Sequence, residues 1–363
     1  MTAFPPPSPA LSREKDGFSR CRLDIPPAPA VRYYRYSRII LPSGGSCAAR
    51  RQKGATAVAK QEILTIRPEH RPKVLLLGNG LNRVYGGASW AGLLARMNRT
   101  SYTPEQVKGI PMPMQAVLLS EDHVDVSLKD LRRELTRYES HPWLEEQLRT
   151  LMAMPFDCVL TPNFTYELEY ALDTDFLSRH RRYQRHTPAV ERAERQFMLH
   201  TYYSMPTPTG PTPVFHIHGE ARKPDTVILG HYYYGNLLFR YDDYLTRRAP
   251  GGLYRVGKDG LTVLSWLDYF ILGDVYCLGF GFDTAEIDLW WLLCRKKRER
   301  AGHGALYFIE PDKKGAETKH GLLRAYHAQS VTLGMADLNN EDYKQFYEKA
   351  VEEIGCRLAE GRA

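Results

Sequence analysis

Short continuous apolar runs, each closed by glycine or a polar turn, punctuate residues 73–311. Lys73–Gly78 is the first, and Cys158–Thr161, Val214–His218, Val227–Leu229, Asp274–Leu278 and Ala305–Ile309 repeat the pattern. Runs of this length without polar alternation read as strands buried on both faces. Between them the spacing turns helical, over Ser127–Tyr138, Tyr166–Leu172, Glu286–Arg300 and Glu341–Leu358. In the last, Tyr343, Phe346, Tyr347, Ala350, Val351, Ile354 and Leu358 recur at helical intervals behind Asn340, a residue suited to an N-cap. Strands alternating with helices predict an α/β fold, a Rossmann-like parallel sheet with helices on both faces. Residues 173–213, rich in Arg, His and Tyr and broken by prolines, read as an inserted, mostly helical subdomain. No internal repeat is evident.

Composition adds the domain boundary. Of 363 residues, 43% are hydrophobic and 25% charged, an ordinary globular balance. The longest apolar stretches fall far short of the roughly 20 residues that a membrane helix needs, so no membrane association is expected. Residues 1–72 hold ten of the 24 prolines. They also carry thirteen Lys/Arg against five Asp/Glu, so the chain's net charge of +7 belongs to them and residues 73–363 are close to neutral. The tail reads as a Pro-rich, basic, disordered extension, or as the product of a start site placed too far upstream. Residues 73–363 form the folded domain, ending in a helix. Its near neutrality does not favour nucleic acid as a partner. Six cysteines are scattered without a C-x-x-C pair, and the first residues lack a secretory h-region, so a cytoplasmic location is expected.

Candidate chemistry gathers after the predicted strands. Gly78, Asn79, Gly80 and Asn82 follow the first, where glycines let backbone approach a diphosphate; Arg83 stands where a dinucleotide fingerprint wants a small residue. Thr161, Asn163 and Thr165 follow the second, at the carboxyl end where open α/β sheets bind ligands. His216 and His218 would share a face of the third strand. They read as metal ligands, as hydrogen-bonded core residues, or, for His218, as a general base; no Asp/Glu/Cys cluster is identifiable to complete a metal site. Gly279 and Gly281 form a turn after a later strand, ahead of a helix that opens with acids suited to its positive end. Trp290 and Trp291 read as core, and Arg295–Arg298 as complementing the helix dipole. Glu310, at another strand end, is placed for ribose hydroxyls or is an exposed turn acid.

In order and spacing these motifs resemble the sirtuin-like NAD-consuming family. The family's opening G-A-G-x-S-x-x-x-G is matched by Gly78, Gly80 and Gly86, with Asn82 in place of the serine. Its T-Q-N-x-D is matched by Thr161–Thr165, its His-Gly by His218 and Gly219, and its late glycine turn by Gly279 and Gly281. The two-pair cysteine zinc ribbon of sirtuin deacylases is missing, and Thr165 stands where the family has an aspartate. The resemblance is closer to zinc-free bacterial NAD hydrolases, several of them anti-phage effectors.

It implies an NAD glycohydrolase without a metal, a defence or stress effector with NAD as substrate. Asn163 would orient ribose and water, and His218 would act as base. Gly78–Asn82 would hold the diphosphate, and Gly279 and Gly281 the adenosine side. A module that binds NAD or ADP-ribose without turnover is one alternative; a protein deacylase or ADP-ribosyltransferase is another. No residue pattern specifies an activating protein, a small-molecule trigger or a homo-oligomer.

Overall fold

The apolar runs become strands because both faces of the sheet are covered by helices. A computed structural model describes residues 64–86, 89–179, 183–184, 198–249, 254–299, 304–313, 315–334 and 340–360. The strands are β1 (Thr65–Ile66), β2 (Lys73–Leu77), β3 (Cys158–Thr161), β4 (Tyr183–Gln184), β5 (Thr201–Met205), β6 (Thr212–His216), β7 (Leu261–Thr262), β8 (Asp274–Leu278), β9 (Leu306–Pro311) and β10 (Ala328–Leu333). The helices between β2 and β3 are α1 (Trp90–Met97), α2 (Pro104–Val107), α3 (Met112–Leu119), α4 (Val124–Leu135) and α5 (Pro142–Ala153). Further on come α6 (Glu167–Leu172), α7 (Phe176–Arg179), α8 (His231–Arg248), α9 (Trp266–Leu272), α10 (Ile287–Arg298), α11 (Glu317–Ala325) and α12 (Asn340–Glu360).

The main sheet runs β10-β9-β8-β2-β3-β6-β5-β4, parallel from β10 to β6 and antiparallel across β5 and β4. Numbered along the chain, the six parallel strands stand in the spatial order 3-2-1-4-5-6. That is the Rossmann order, with its switch point between β2 and β8. Alternate side chains feed two cores. Leu75, Leu77, Val159 and Val214 pack with α1, α3–α6 and α12 on one face. Val74, Leu76, Leu160 and Phe215 pack with α8–α11 on the other. No helix among the described residues is long and apolar enough to cross a membrane.

Several expectations need correction. The folded unit begins ahead of Lys73: Ile66 is buried, β1 pairs with β7, and His70 meets Asp157 at 2.8 Å. The remainder of the expected tail, residues 1–63, lies outside the described residues. Val227–Leu229 is no strand, because its backbone is engaged locally: Val227 N donates to the Pro224 carbonyl and Ile228 N to that of His218. The expected insertion supplies α7, but Thr201–Met205 is a strand on the edge of β6, and residues 180–182 and 185–197 lie outside the described ones. The large helical addition stands instead between β2 and β3, where five helices replace the single crossover of a simple βαβ unit.

Candidate active site

At the carboxyl ends of β2, β3, β8 and β9 lies a cavity of about 670 Å³, beside the switch point. Of the residues singled out from the sequence, Asn79, Gly80, Asn163, Thr165, His218, Gly279, Gly281 and Glu310 line it. Gly78, Asn82 and Thr161 do not, and each has a structural task instead.

The two glycine turns clasp one another across the switch point. Gly78 N donates to the Leu278 carbonyl at 2.9 Å and Gly80 N to that of Gly279 at 2.7 Å. A Cβ on Gly78 would stand 2.5 Å from the Gly279 oxygen, so this glycine serves backbone packing rather than a ligand. A Cβ on Gly80 would overlap the Tyr347 hydroxyl of α12. The loop enters one 3-10 turn, Asn82–Tyr85, rather than a long helix. Asn82 is buried, its amide donating to Asn79 Oδ1 at 2.9 Å. Gly80 N–H is therefore spent within the protein; among the described residues Arg83, Lys313 and Lys319 bring basic side chains to the cavity wall.

Thr161 ties β3 to β2 through a 2.8 Å hydrogen bond to the Leu77 carbonyl, and its hydroxyl accepts from Asn163 N. Among the described residues the half-buried Asn163 side-chain amide has no partner, although its backbone carbonyl is held by His216 Nδ1 at 2.8 Å. Thr165, in the family's aspartate position, spends its hydroxyl on Glu167 at 2.5 Å. Glu310 is buried and paired with Lys319 at 2.7 Å and with His320. A ribose hydroxyl at Glu310 would share the carboxylate with both partners.

The two histidines do not share a face. β6 ends at His216, and Gly219 (φ 88°) turns the chain hard against the Thr226 backbone. His216 stays with the α6 layer, its Nε2 2.9 Å from Glu169 Oε1 and its ring against Tyr166 and Tyr203. His218 swings to the α8–α10 layer, with Nε2 2.8 Å from Asp288 Oδ2 and Nδ1 4.0 Å from Glu286 Oε2. Tyr234 and Tyr241 donate to Glu286 and Asp288 at 2.9 and 3.3 Å. Burial alone would push both imidazoles down. The Glu169 carboxylate outweighs that and lifts His216 to about 9, and Asp288 with Glu286 likewise raises His218. Burial lifts Glu286 to about 6 against the opposing pull of His218.

Ligand atoms of His218, Glu286 and Asp288 lie within 4.8 Å of one another, a cluster that sequence reading missed. Both ring nitrogens face carboxylates, which suits shared protons better than a cation needing a ring lone pair. Glu286 and Asp288 were visible as acids opening a helix, but their partner is 70 residues away and the helix dipole explained them too cheaply. Trp290 is core as expected, its indole donating to the Asp283 carbonyl. Lys296 is buried and caps α9 through the carbonyls of Phe270, Ile271 and Gly273. Phe282 holds φ 48° at the cavity wall, backbone strain that a bulky residue bears when its aromatic neighbours Phe280, Trp290 and Phe308 fix it.

No protein-family model matches the chain, and no curated protein is recognisably similar to it. The sirtuin-like resemblance thus rests on the motif residues themselves.

Proposed function

We propose that the protein is an NAD glycohydrolase, cleaving the bond between nicotinamide and ribose. The observation that carries this reading is the convergence on one cavity of Asn163, His218, Gly80, Gly279 and Gly281, at the switch point of a Rossmann-ordered sheet. Those residues come from four separated stretches of chain and are the ones the resemblance would require together.

The leaving group needs no acid, because nicotinamide departs as a neutral ring from a cationic one. The protein must orient the ribose, exclude bulk water and stabilise positive charge developing on the sugar. The Asn163 amide, unpartnered among the described residues, suits ribose or water orientation, and the Glu286 carboxylate on the cavity wall suits a cationic transition state. A second reading, a module that binds NAD or ADP-ribose without turnover, is favoured by Tyr347 packed on Gly80 and by Thr165 committed to Glu167.

Purified protein mixed with NAD, with and without an acylated peptide, decides the matter through nicotinamide release. Release without peptide is expected. Saturable binding without release would leave the binding module, and peptide-dependent release would point to a transferase.

A further inference from the structure

We propose that Glu286 is a further catalytic residue, the group that takes the proton from the water attacking the nicotinamide ribose. This rests on the NAD-cleaving reading above, and it moves the base from His218, where the resemblance puts it, to a carboxylate that the motifs do not include.

His218 Nε2 faces Asp288, which is fully buried and does not line the cavity. His218 Nδ1 faces Glu286, which does line it. An imidazole flanked by two carboxylates is favoured in its doubly protonated form, which has no lone pair to offer a water. Glu286 does. Among the described residues Tyr234 is its one side-chain hydrogen-bond donor, on Oε2, which leaves Oε1 for a ligand. The carboxylate sits ahead of the first turn of α10, five residues after Gly281, on the loop that carries the Gly279–Gly281 turn into that helix. His218 and Asp288 are positioning residues: Asp288 fixes the imidazole, and the charge of the imidazole, 4.0 Å from Glu286, favours the ionised carboxylate.

The step balances. The C1′–nitrogen bond breaks and its electron pair goes to the nicotinamide ring nitrogen, giving neutral nicotinamide. The water oxygen bonds C1′, one water proton passes to Glu286, and from there to solvent, leaving ADP-ribose. Before that transfer the negative carboxylate faces the cationic sugar, the charge arrangement that electrostatic catalysis requires. Burial raises Glu286 to about 6 among His218, Tyr234, Asp283 and Asp288, close enough to neutrality for a base that must also release its proton.

The test uses the full chain as the parent, Glu286→Gln, Glu286→Asp and Asn163→Ala, following kcat and KM for nicotinamide release together with calorimetric NAD binding and thermal melts. Glu286→Gln is expected to lose on the order of 10²-fold or more in kcat, with NAD affinity within a few-fold of the parent. Glu286→Asp, which keeps the charge but withdraws it by one methylene, should fall between the two. A purely structural Glu286 would not show that split. Should Glu286→Gln fail to fold, Glu286→Asp decides: a kcat more than about tenfold down at unchanged KM supports the assignment, and parental kcat overturns it. Full turnover in Glu286→Gln alongside a dead Asn163→Ala would remove Glu286 and keep the NAD-cleaving reading. No release from the parent would remove both.

Discussion

His216 and His218 leave the same stretch of chain two residues apart, are equally buried, and are each paired with a buried carboxylate under 3 Å away. Both are lifted above an ordinary histidine by that carboxylate despite the cost of burial. Their third neighbours separate them. His216 closes on a backbone carbonyl and two tyrosine rings, a sealed environment. His218 closes on Glu286 and the cavity. A perturbed titration therefore marks neither of them as functional; access to the cavity does.

The largest expected effect tests that difference through stability. His216→Ala and His218→Ala should each cost about 3–5 kcal/mol in urea unfolding, since each strands a buried carboxylate. Exchanging both partners separates them. His216→Leu with Glu169→Leu should recover most of the stability and keep turnover within roughly tenfold, since a buried pair replaced by apolar side chains is often near neutral. His218→Leu with Asp288→Leu should recover stability without turnover. Equal activity in the two double variants would erase the distinction between the clusters.

Asn163→Ala comes next. With its side-chain amide unpartnered among the described residues, the substitution should leave the melt almost unchanged. It should cost on the order of 10²–10³ in nicotinamide release, with NAD affinity within a few-fold, since the lost contact acts on the chemical step. Parental turnover would make Asn163 a turn residue whose value lies in its carbonyl, the part His216 holds.

The sheet was legible because Val74–Leu77, Cys158–Leu160 and Val275–Leu278 feed alternate side chains into two apolar cores, which forbids polar alternation. Glycine or a polar residue at each strand end then marked the carboxyl edge. Other features could not be read locally. β10, at the sheet edge, buries only Ala328 and Val331 of its six positions, which weakens its pattern. The histidines separate because the strand stops at His216 and Gly219 takes positive φ, so counting by twos past that point assigns the wrong face. Gly78 and Thr161 sit in the motifs for reasons of packing, and only their partners Gly279 and Leu77 reveal it. The His218 partners were the costliest omission, since Glu286 and Asp288 satisfy a helix-start rule whether or not anything faces them.

A smaller effect concerns pH. His216, raised from 6.5 to about 9, contributes stability that is complete below pH 6.5 and lost as pH climbs through 9. Lys296, lowered by burial from 10.5 to about 7, acts in the opposite sense, adding stability as pH rises from 7 towards 10.5. Over pH 7–9 the two oppose, with His218, also raised, acting on the side of His216. Between pH 7 and 9 the His216→Leu, Glu169→Leu variant should therefore gain stability relative to the parent as pH rises, by at most about 1.4 kcal/mol per unit. Denaturant titrations of both proteins at pH 7, 8 and 9 read this directly; a variant profile parallel to the parent's would show that His216 does not carry the effect.

The smallest effect is the most selective between the two clusters. Tyr203 and Tyr234 each donate a hydroxyl to a buried carboxylate, Glu220 at 2.7 Å and Glu286 at 2.9 Å. Replacing either by Phe should cost about 1 kcal/mol, the ordinary net worth of such a bond, and less at Tyr203 because Tyr166 also donates to Glu220. Their effects on turnover should part company. The Tyr234 hydrogen bond holds Glu286 down, so Tyr234→Phe should let its pKa rise and shift the acid limb of the kcat profile to higher pH. Tyr203→Phe, acting in the sealed layer, should leave that limb where the parent has it. An acid limb that moves equally in both would mean that the two layers communicate through the sheet. A limb that moves in neither would mean that the titrating group is not Glu286.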